Sequence, residues 1–279
     1  MLGAGSDESP DLWHRETTVR PVVTDRMGLL HDVADAVAAA LRAQRDWGLS
    51  GRRDGQYALD LTADDAALAV LRRAGVGVLS EESGLDDRGT GEIVVIDPVD
   101  GSTNCSRGVP WYATSLCLVD GDGPAVALVV NQASGVRWSA ERGGGAFRDG
   151  VAIRPSGCTD LPAAIVGLNG LPPRHLGYAQ ARVLGAVALD LCLVAAGVLD
   201  GYVDCISEAH GAWDFAGGVL ICREAGATVV DVWDRELYTL THATRRTPVA
   251  AATPALLAPM VAARRALGDA PADRLDQLG

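Results

Sequence analysis

Glu81 and Glu82, Asp97 and Asp100, and Asp214 are the residues whose types and placement could do chemistry. The two glutamates follow the short β run Gly77 to Leu79, the aspartates at 97 and 100 follow the apolar run Ile93 to Ile96, and Asp214 stands where a helix is expected to begin. Strand ends and helix N-termini are places where side chains converge on a cleft, and a cleft lined with carboxylate oxygens suits a hard cation.

The spacing of Asp97 and Asp100 narrows the chemistry. A calcium-binding EF-hand needs acids at loop positions 1, 3 and 5 and a Glu at 12, whereas counting from Asp97 puts Val99 at position 3 and Gly108 at position 12. Aspartyl-phosphate enzymes carry two acids at i and i+2, while these stand at i and i+3 around Pro98, so a covalent aspartate nucleophile is not favoured. Pro98 fixes its own φ and keeps Asp97 extended, so the chain can turn and present Asp97, the Val99 carbonyl and Asp100 toward one point. Mixed carboxylate and carbonyl ligation of that kind fits Mg²⁺. Gly101-Ser102-Thr103 could then open a helix whose free N–H groups face a phosphate. Each acid also has a plainer reading: Asp100 as a turn residue before Gly101, Asp214 as a helix cap, Asp65 as the acid of a capping box.

The elements that must position these residues change character along the chain. Val33, Val37 and Leu41 recur at helical spacing, and Thr62-Ala63-Asp64-Asp65 reads as the start of a second helix running to Arg73. From Val76 short β runs follow: Gly77 to Leu79, Ile93 to Ile96, Ala113 to Val119, Ala125 to Val130, then shorter ones near 137–139, 145–148 and 152–153. After Pro155 the order alternates, with strands at Ile165 to Gly167, Tyr202 to Cys205 and Thr228 to Asp231, and helices over about 186–199, 213–224 and from Pro254. Residues 1–155 thus read as helices plus a mainly antiparallel sheet carrying most of the acids. Residues 156–279 read as an α/β subdomain that contributes Asp214.

With 279 residues the chain can bury a sizeable core, and 48% hydrophobic with 22% charged residues describes an ordinary globular composition. The formal net charge is −12, with arginine supplying every basic residue besides histidine, which argues against nucleic acid or an anionic membrane as the main partner. Six cysteines show no C-x-x-C pair and no zinc spacing, so a reducing compartment is expected. The N-terminal MLGAGSDESPDLW lacks a leader pattern, and Asp190 and Asp200 interrupt the most apolar stretch, so a cytoplasmic location without a membrane span is expected.

Three motifs give these residues a family likeness. Ser80-Glu81-Glu82-Ser83 is similar to G-E-E-S, Asp97 to Asn104 to D-P-[IV]-D-G-[TS]-x-N, and Trp213 to Gly218 to W-D-x-A-[AG]-G, continuing into Glu224-Ala225-Gly226. The chain resembles the inositol monophosphatase superfamily, which also holds fructose bisphosphatases and 3′-phosphoadenosine 5′-phosphate phosphatases, and weaker similarity runs from about residue 24 to 257. The resemblance implies a layered αβαβα sandwich, a homodimer, and a phosphomonoesterase that uses two or three Mg²⁺ ions to activate an attacking water and is inhibited by Li⁺. It makes Glu81, Asp97, the Val99 carbonyl, Asp100 and Asp214 the metal ligands. Ser102 would stand beside the water, Glu81 would help deprotonate it, and Asp65 would orient Ser102. The N–H groups of Gly101 and Ser102 would hold the phosphate, with Asp100, Gly185, Ala186, Asp204 and His210 facing the rest of the substrate.

Two stretches depart from the family pattern, both beside the expected substrate position. Residues 169–182 are short, as if a helix at the entrance were missing, and Cys205 to Ala212 reads as a small insertion in which His210 is either an exposed loop residue or a substrate donor. Asp204 can accept hydroxyl hydrogen bonds and no Lys/Arg cluster awaits a second phosphate, so a small polyol or sugar phosphate is the expected substrate. Arg182 keeps a bisphosphate in view, as does the superfamily's histidinol phosphate branch a different leaving group. A binding role in place of catalysis, as in some members' transcription complexes, would call for eroded ligands or a basic surface.

Overall fold

The computed structural model describes residues 23–53 and 55–268; the N-terminal stretch read for a leader lies outside them. Helices α1 (Arg26–Ala43) and α2 (Ala58–Ala74) come first. Strands β1 (Gly77–Ser80), β2 (Gly84–Asp86) and β3 (Ile93–Asp100) then lead through the short helix α3 (Ser102–Arg107) to β4 (Ala113–Asp120), β5 (Gly123–Asn131), β6 (Arg137–Glu141), β7 (Gly145–Arg148) and β8 (Val151–Ala152). These strands form one eight-stranded sheet in the order β2-β1-β3-β4-β5-β6-β7-β8, antiparallel except where β1 runs parallel to β3.

The second sheet has five strands, β9 (Ile165–Asn169), β10 (Gln180–Arg182), β11 (Gly201–Asp204), β12 (Thr228–Asp231) and β13 (Pro248–Ala251), in the order β10-β9-β11-β13-β12. The first three are parallel, and β13 pairs antiparallel with both neighbours. Helices α4 (Val187–Ala195) and α5 (Ala212–Ala225) precede β11 and β12, and α6 (Pro254–Arg265) closes the described chain. Sheet one ends at Ala152 and sheet two begins at Ile165, so residue 155 falls in the connection between them.

Strand alternation builds the layers. Val94, Ile96, Leu116, Leu118 and Leu128 point to the α1/α2 side, where they pack on Leu30, Val33, Val37 and Leu71. Their neighbours Val95, Cys117, Ala127 and Val129 point the other way, onto Leu189, Leu191, Phe215 and Val219 of α4 and α5. Tyr202, Val229 and Ala250 of sheet two meet those same helices, while Val166, Val203 and Val249 face Leu256 and Met260 of α6. The result is the expected αβαβα sandwich. The central helices are buried on two sides, which is why α4 is apolar nearly all round.

Several local readings shift. Helix α2 begins at Ala58 rather than Thr62, because Asp60 in its first turn accepts the Tyr57 N–H at 2.8 Å. The Thr62 hydroxyl instead donates back to the Ala58 carbonyl, as mid-helix threonines do. Residues 170–179 between β9 and β10 contain no helix, in line with the shortened stretch. Among the described residues no helix is long and apolar enough to cross a membrane, and the six cysteines are free.

Candidate active site

Glu81, Asp97 and Asp214 come together although they lie far apart in sequence. Each offers one carboxylate oxygen, and the three atoms lie within 4.8 Å of one another. Glu81 sits in the turn after β1, its N–H donating to the Ile96 carbonyl at 3.2 Å and its carbonyl accepting from His242 Nε2 at 3.0 Å. A carbonyl can only accept, so this contact places the His242 proton on Nε2. Ser80 and Ser83 bracket the turn and both donate to buried Asp64, Ser80 at 2.6 Å. Ser80 in place of the family glycine therefore anchors the turn that carries Glu81.

Asp97 and Asp100 belong to β3, where pairing with β4 slips between them. The Val99 N–H returns to Asp97 Oδ1 at 2.9 Å, and the Val99 side chain lies in the α1/α2 core, so only its backbone is available to a ligand. Asp100 Oδ2 accepts the Ala188 N–H at 2.7 Å at the start of α4. Asp214 stands in the first turn of α5, where its Oδ2 accepts the Gly211 N–H at 2.7 Å. Burial, and then the neighbouring carboxylates, push Glu81 and Asp97 well above the ordinary carboxylate range; burial and Asp214 do the same to Asp100. Such a set resists full ionisation unless a cation neutralises it. An all-oxygen donor set at this separation fits Mg²⁺.

Gly101 links this cluster to the other half of the molecule. Its φ of 86° is left-handed, and a Cβ there would stand 3.0 Å from the Gly185 carbonyl and 3.2 Å from the Ala186 Cβ, so only glycine lets α3 begin against that segment. Asn104 secures the contact, donating from Nδ2 to the carbonyls of Trp111 and Leu184, both at 2.8 Å.

Two cavities flank the acids. One, of about 330 Å³, is lined by Glu81, Ser102, Asp60, Trp213, Arg53 and Arg245. The other, of about 80 Å³, is lined by Asp100, Gly185 and Ala186 together with Asn169, Asp190, Tyr202 and His210. It opens beyond the carboxyl ends of the parallel strands β9 and β11, where ligands commonly bind in sheets of this kind.

Three residues sit differently from expectation. Asp65 is exposed on α2, about 100° around the helix from buried Asp64, whereas Asp60 lies in the cavity with Glu81 and Ser102. Asp60 rather than Asp65 thus shares a cavity with Ser102, and burial lifts its carboxyl to about 7. Asp204 is fully buried and lines neither cavity; Oδ1 accepts from Asn169 Nδ2 at 2.9 Å and from the Ile206 N–H at 3.0 Å. It holds Asn169, which lines the smaller cavity. His210 is not an exposed loop histidine: its side chain is 14% exposed, Nε2 lies 3.3 Å from the Tyr202 hydroxyl, and Nδ1 lies 3.4 Å from Asp214 Oδ2. Burial opposes its charge, but Asp214 and Asp204 more than offset that and push it up to about 9. The inserted segment is stapled by His210 pairing with Arg246 and by Glu208 binding Arg235.

The family model for the inositol monophosphatase family matches residues 20–268, nearly the whole chain. The chain belongs to the inositol monophosphatase family. Relatives in this family of phosphoric monoester hydrolases include an inositol-1-monophosphatase of Mesorhizobium japonicum, 35% identical over 74% of this chain and 86% of that one. A fructose-1,6-bisphosphatase/inositol-1-monophosphatase of Thermococcus kodakarensis is 37% identical over 69% and 76%. Among solved structures, a Pyrococcus horikoshii protein described as having similarities to inositol-1 monophosphatase superposes with a TM-score of 0.74 at 25% identity, covering 85% of this chain and 95% of that one.

Proposed function

We propose that this member of the inositol monophosphatase family is a Mg²⁺-dependent phosphomonoesterase that hydrolyses the monophosphate of a small polyol, inositol monophosphate or a close analogue. Glu81, Asp97, Asp214, Asp100 and the Val99 carbonyl would hold magnesium, which supplies Lewis-acid polarisation of the phosphoryl group and neutralises charge. Ser102 and Glu81 share the larger cavity, where Ser102 orients the attacking water and Glu81 receives its proton, with Asp60 holding the Ser102 hydroxyl. The N–H groups of Gly101 and Ser102, at the start of α3, bind the phosphoryl oxygens. The leaving group occupies the smaller cavity.

The observation that carries the substrate class is the lining of that smaller cavity. It presents Asn169, Tyr202, His210 and Asp100 as hydrogen-bonding partners for hydroxyls and contains no Arg. Arg182 is exposed and spends its guanidinium on the Ala181 carbonyl and Gln180. A neutral polyol fits this lining better than a second phosphate does. Lithium inhibition and a homodimer accompany the reading as expectations of the resemblance, and a cytoplasmic location as an expectation of the sequence.

Initial rates on a panel of phosphate esters test it, using inositol, sugar, histidinol and nucleotide monophosphates beside fructose 1,6-bisphosphate. The polyol monophosphates should give the highest kcat/KM with Mg²⁺ present. A bisphosphate or nucleotide preferred by tenfold or more would refute the polyol assignment, and no turnover of any ester would refute the phosphatase itself.

A further inference from the structure

We propose that Arg245 is an oxyanion-binding residue at the mouth of the larger cavity, where its guanidinium takes inorganic phosphate and, before hydrolysis, the phosphoryl group of the substrate. This rests on the reading of that cavity as the phosphate site. Arg245 lines it together with Ser102, Glu81 and Trp213. Nη1 donates to the carbonyl of His242 at 2.7 Å and to that of Thr244 at 3.1 Å, and the guanidinium carbon sits 5.0 Å from the centre of the Trp213 ring. These contacts fix the plane of the group. Trp213 is itself held by His242, ring centroids 4.7 Å apart, and directly precedes Asp214.

A guanidinium beside so many acids would be expected to pair with one, as Arg53 does with Glu82 at 2.8 Å. Arg245 does not: among the described residues no carboxylate lies within 4.0 Å of it, and Nε and Nη2 have no hydrogen-bond partner. The group is thus held by neutral carbonyls and an aromatic face, with N–H donors left over. Once the acids are neutralised by metal, this planar donor edge is suited to phosphate oxygens. Arg246, next in sequence, is committed to the carbonyl of Glu236 at 2.6 Å, so the role falls to one of the two arginines only.

The test is the affinity of the Mg²⁺-loaded protein for inorganic phosphate, measured by titration calorimetry on wild type, Arg245→Ala, Arg245→Lys and Arg182→Ala. Arg245→Ala should weaken phosphate about tenfold, the scale of a lost charge-assisted hydrogen bond. Arg245→Lys should recover part of the loss, and Arg182→Ala should match wild type. Magnesium affinity, measured in parallel, should change by less than about twofold, since binding through a positioning effect on Glu81 or Asp214 would move it as well. Unchanged phosphate affinity in Arg245→Ala, an equal loss of magnesium affinity, or a lysine variant no better than alanine would each overturn the proposal. Ester turnover by the wild type is assayed separately, so its absence counts against the phosphatase reading while phosphate affinity still decides the role of Arg245.

Discussion

His210 Nδ1 lies 3.4 Å from Asp214 Oδ2, joining a cavity suited to hydroxyl groups to a carboxylate of the acid cluster. The imidazole's other nitrogen faces Tyr202, Asn169 and Asp204, at 3.3, 3.2 and 3.5 Å. Replacing His210 by Ala should therefore raise KM for a polyol monophosphate about tenfold, the scale of one or two buried hydrogen bonds. An aryl phosphate, which has no hydroxyls for the smaller cavity, should show no such penalty. Steady-state kinetics on both esters separate the cases. Equal losses on the two would mean that His210 acts only through Asp214.

Asp60 and Asp65 provide a second comparison. Asp60 faces the cavity that contains Ser102, and Asp65 faces solvent one helical step beyond buried Asp64. Asp60→Asn should lower kcat by one to two orders of magnitude, roughly the contribution of an oriented general-base assembly. Asp65→Asn should stay within about twofold. The reverse pattern in initial-rate measurements would restore the role to Asp65.

The elements and the placement of the acids were legible in the sequence because both rest on local signals, whereas the layered sandwich was implied by the family resemblance. Short apolar runs rich in Val and Ile mark the strands, and Asp97, Asp100 and Asp214 stand beside a proline turn and a helix start. The register of α2 was not legible. Three acids, Asp60, Asp64 and Asp65, compete for one role, and Thr62 with Asp65 imitates a cap; only the Tyr57 N–H meeting Asp60 fixes the true start. Asp204 misled for a related reason. Its position beside Tyr202 resembles a substrate contact, but the inserted segment folds His210 in front of it, held there by pairing with Arg246, a long-range contact that no spacing encodes. The Ser80-x-x-Ser83 bracket on Asp64 did leave a signal, two hydroxyls flanking the paired glutamates.

Metal should act on stability as well as rate. Burial and mutual repulsion raise Glu81, Asp97 and Asp100, so without a cation their ionisation works against the fold. Saturating Mg²⁺ should raise the Tm, with about 2.7 kcal/mol gained at a hundredfold excess over Kd. Asp97→Asn should lose most of that gain, yet be at least as stable as wild type in EDTA at pH 8, where the folded wild-type cluster still holds protons that the unfolded chain has released. Thermal melts with Mg²⁺ and with EDTA check both halves. A variant that kept the full magnesium stabilisation would remove Asp97 from the ligand set.

Asp190 adds a pH dependence of its own beside that cluster. It is buried on α4, its Oδ1 accepting the Trp111 indole N–H at 3.1 Å, and burial raises its carboxyl to about 7. In the unfolded chain it ionises near ~3.9. Between those values the native state keeps a proton that the unfolded state has released, so stability falls as pH rises through the window from about 4 to about 7. Asparagine at 190 retains the Oδ1 acceptor for Trp111 and has no proton to lose. Asp190→Asn should therefore be close to wild type near pH 4 and more stable at pH 8 by up to a few kcal/mol, because a tenfold change in proton affinity between the two states is worth about 1.4 kcal/mol. Denaturant melts in EDTA across this range measure it. The other raised carboxylates are present in both proteins, so the difference between the two curves reports Asp190 together with the repulsion it exerts on Asp100; a difference that did not grow with pH would show that the buried carboxyl keeps its ordinary titration.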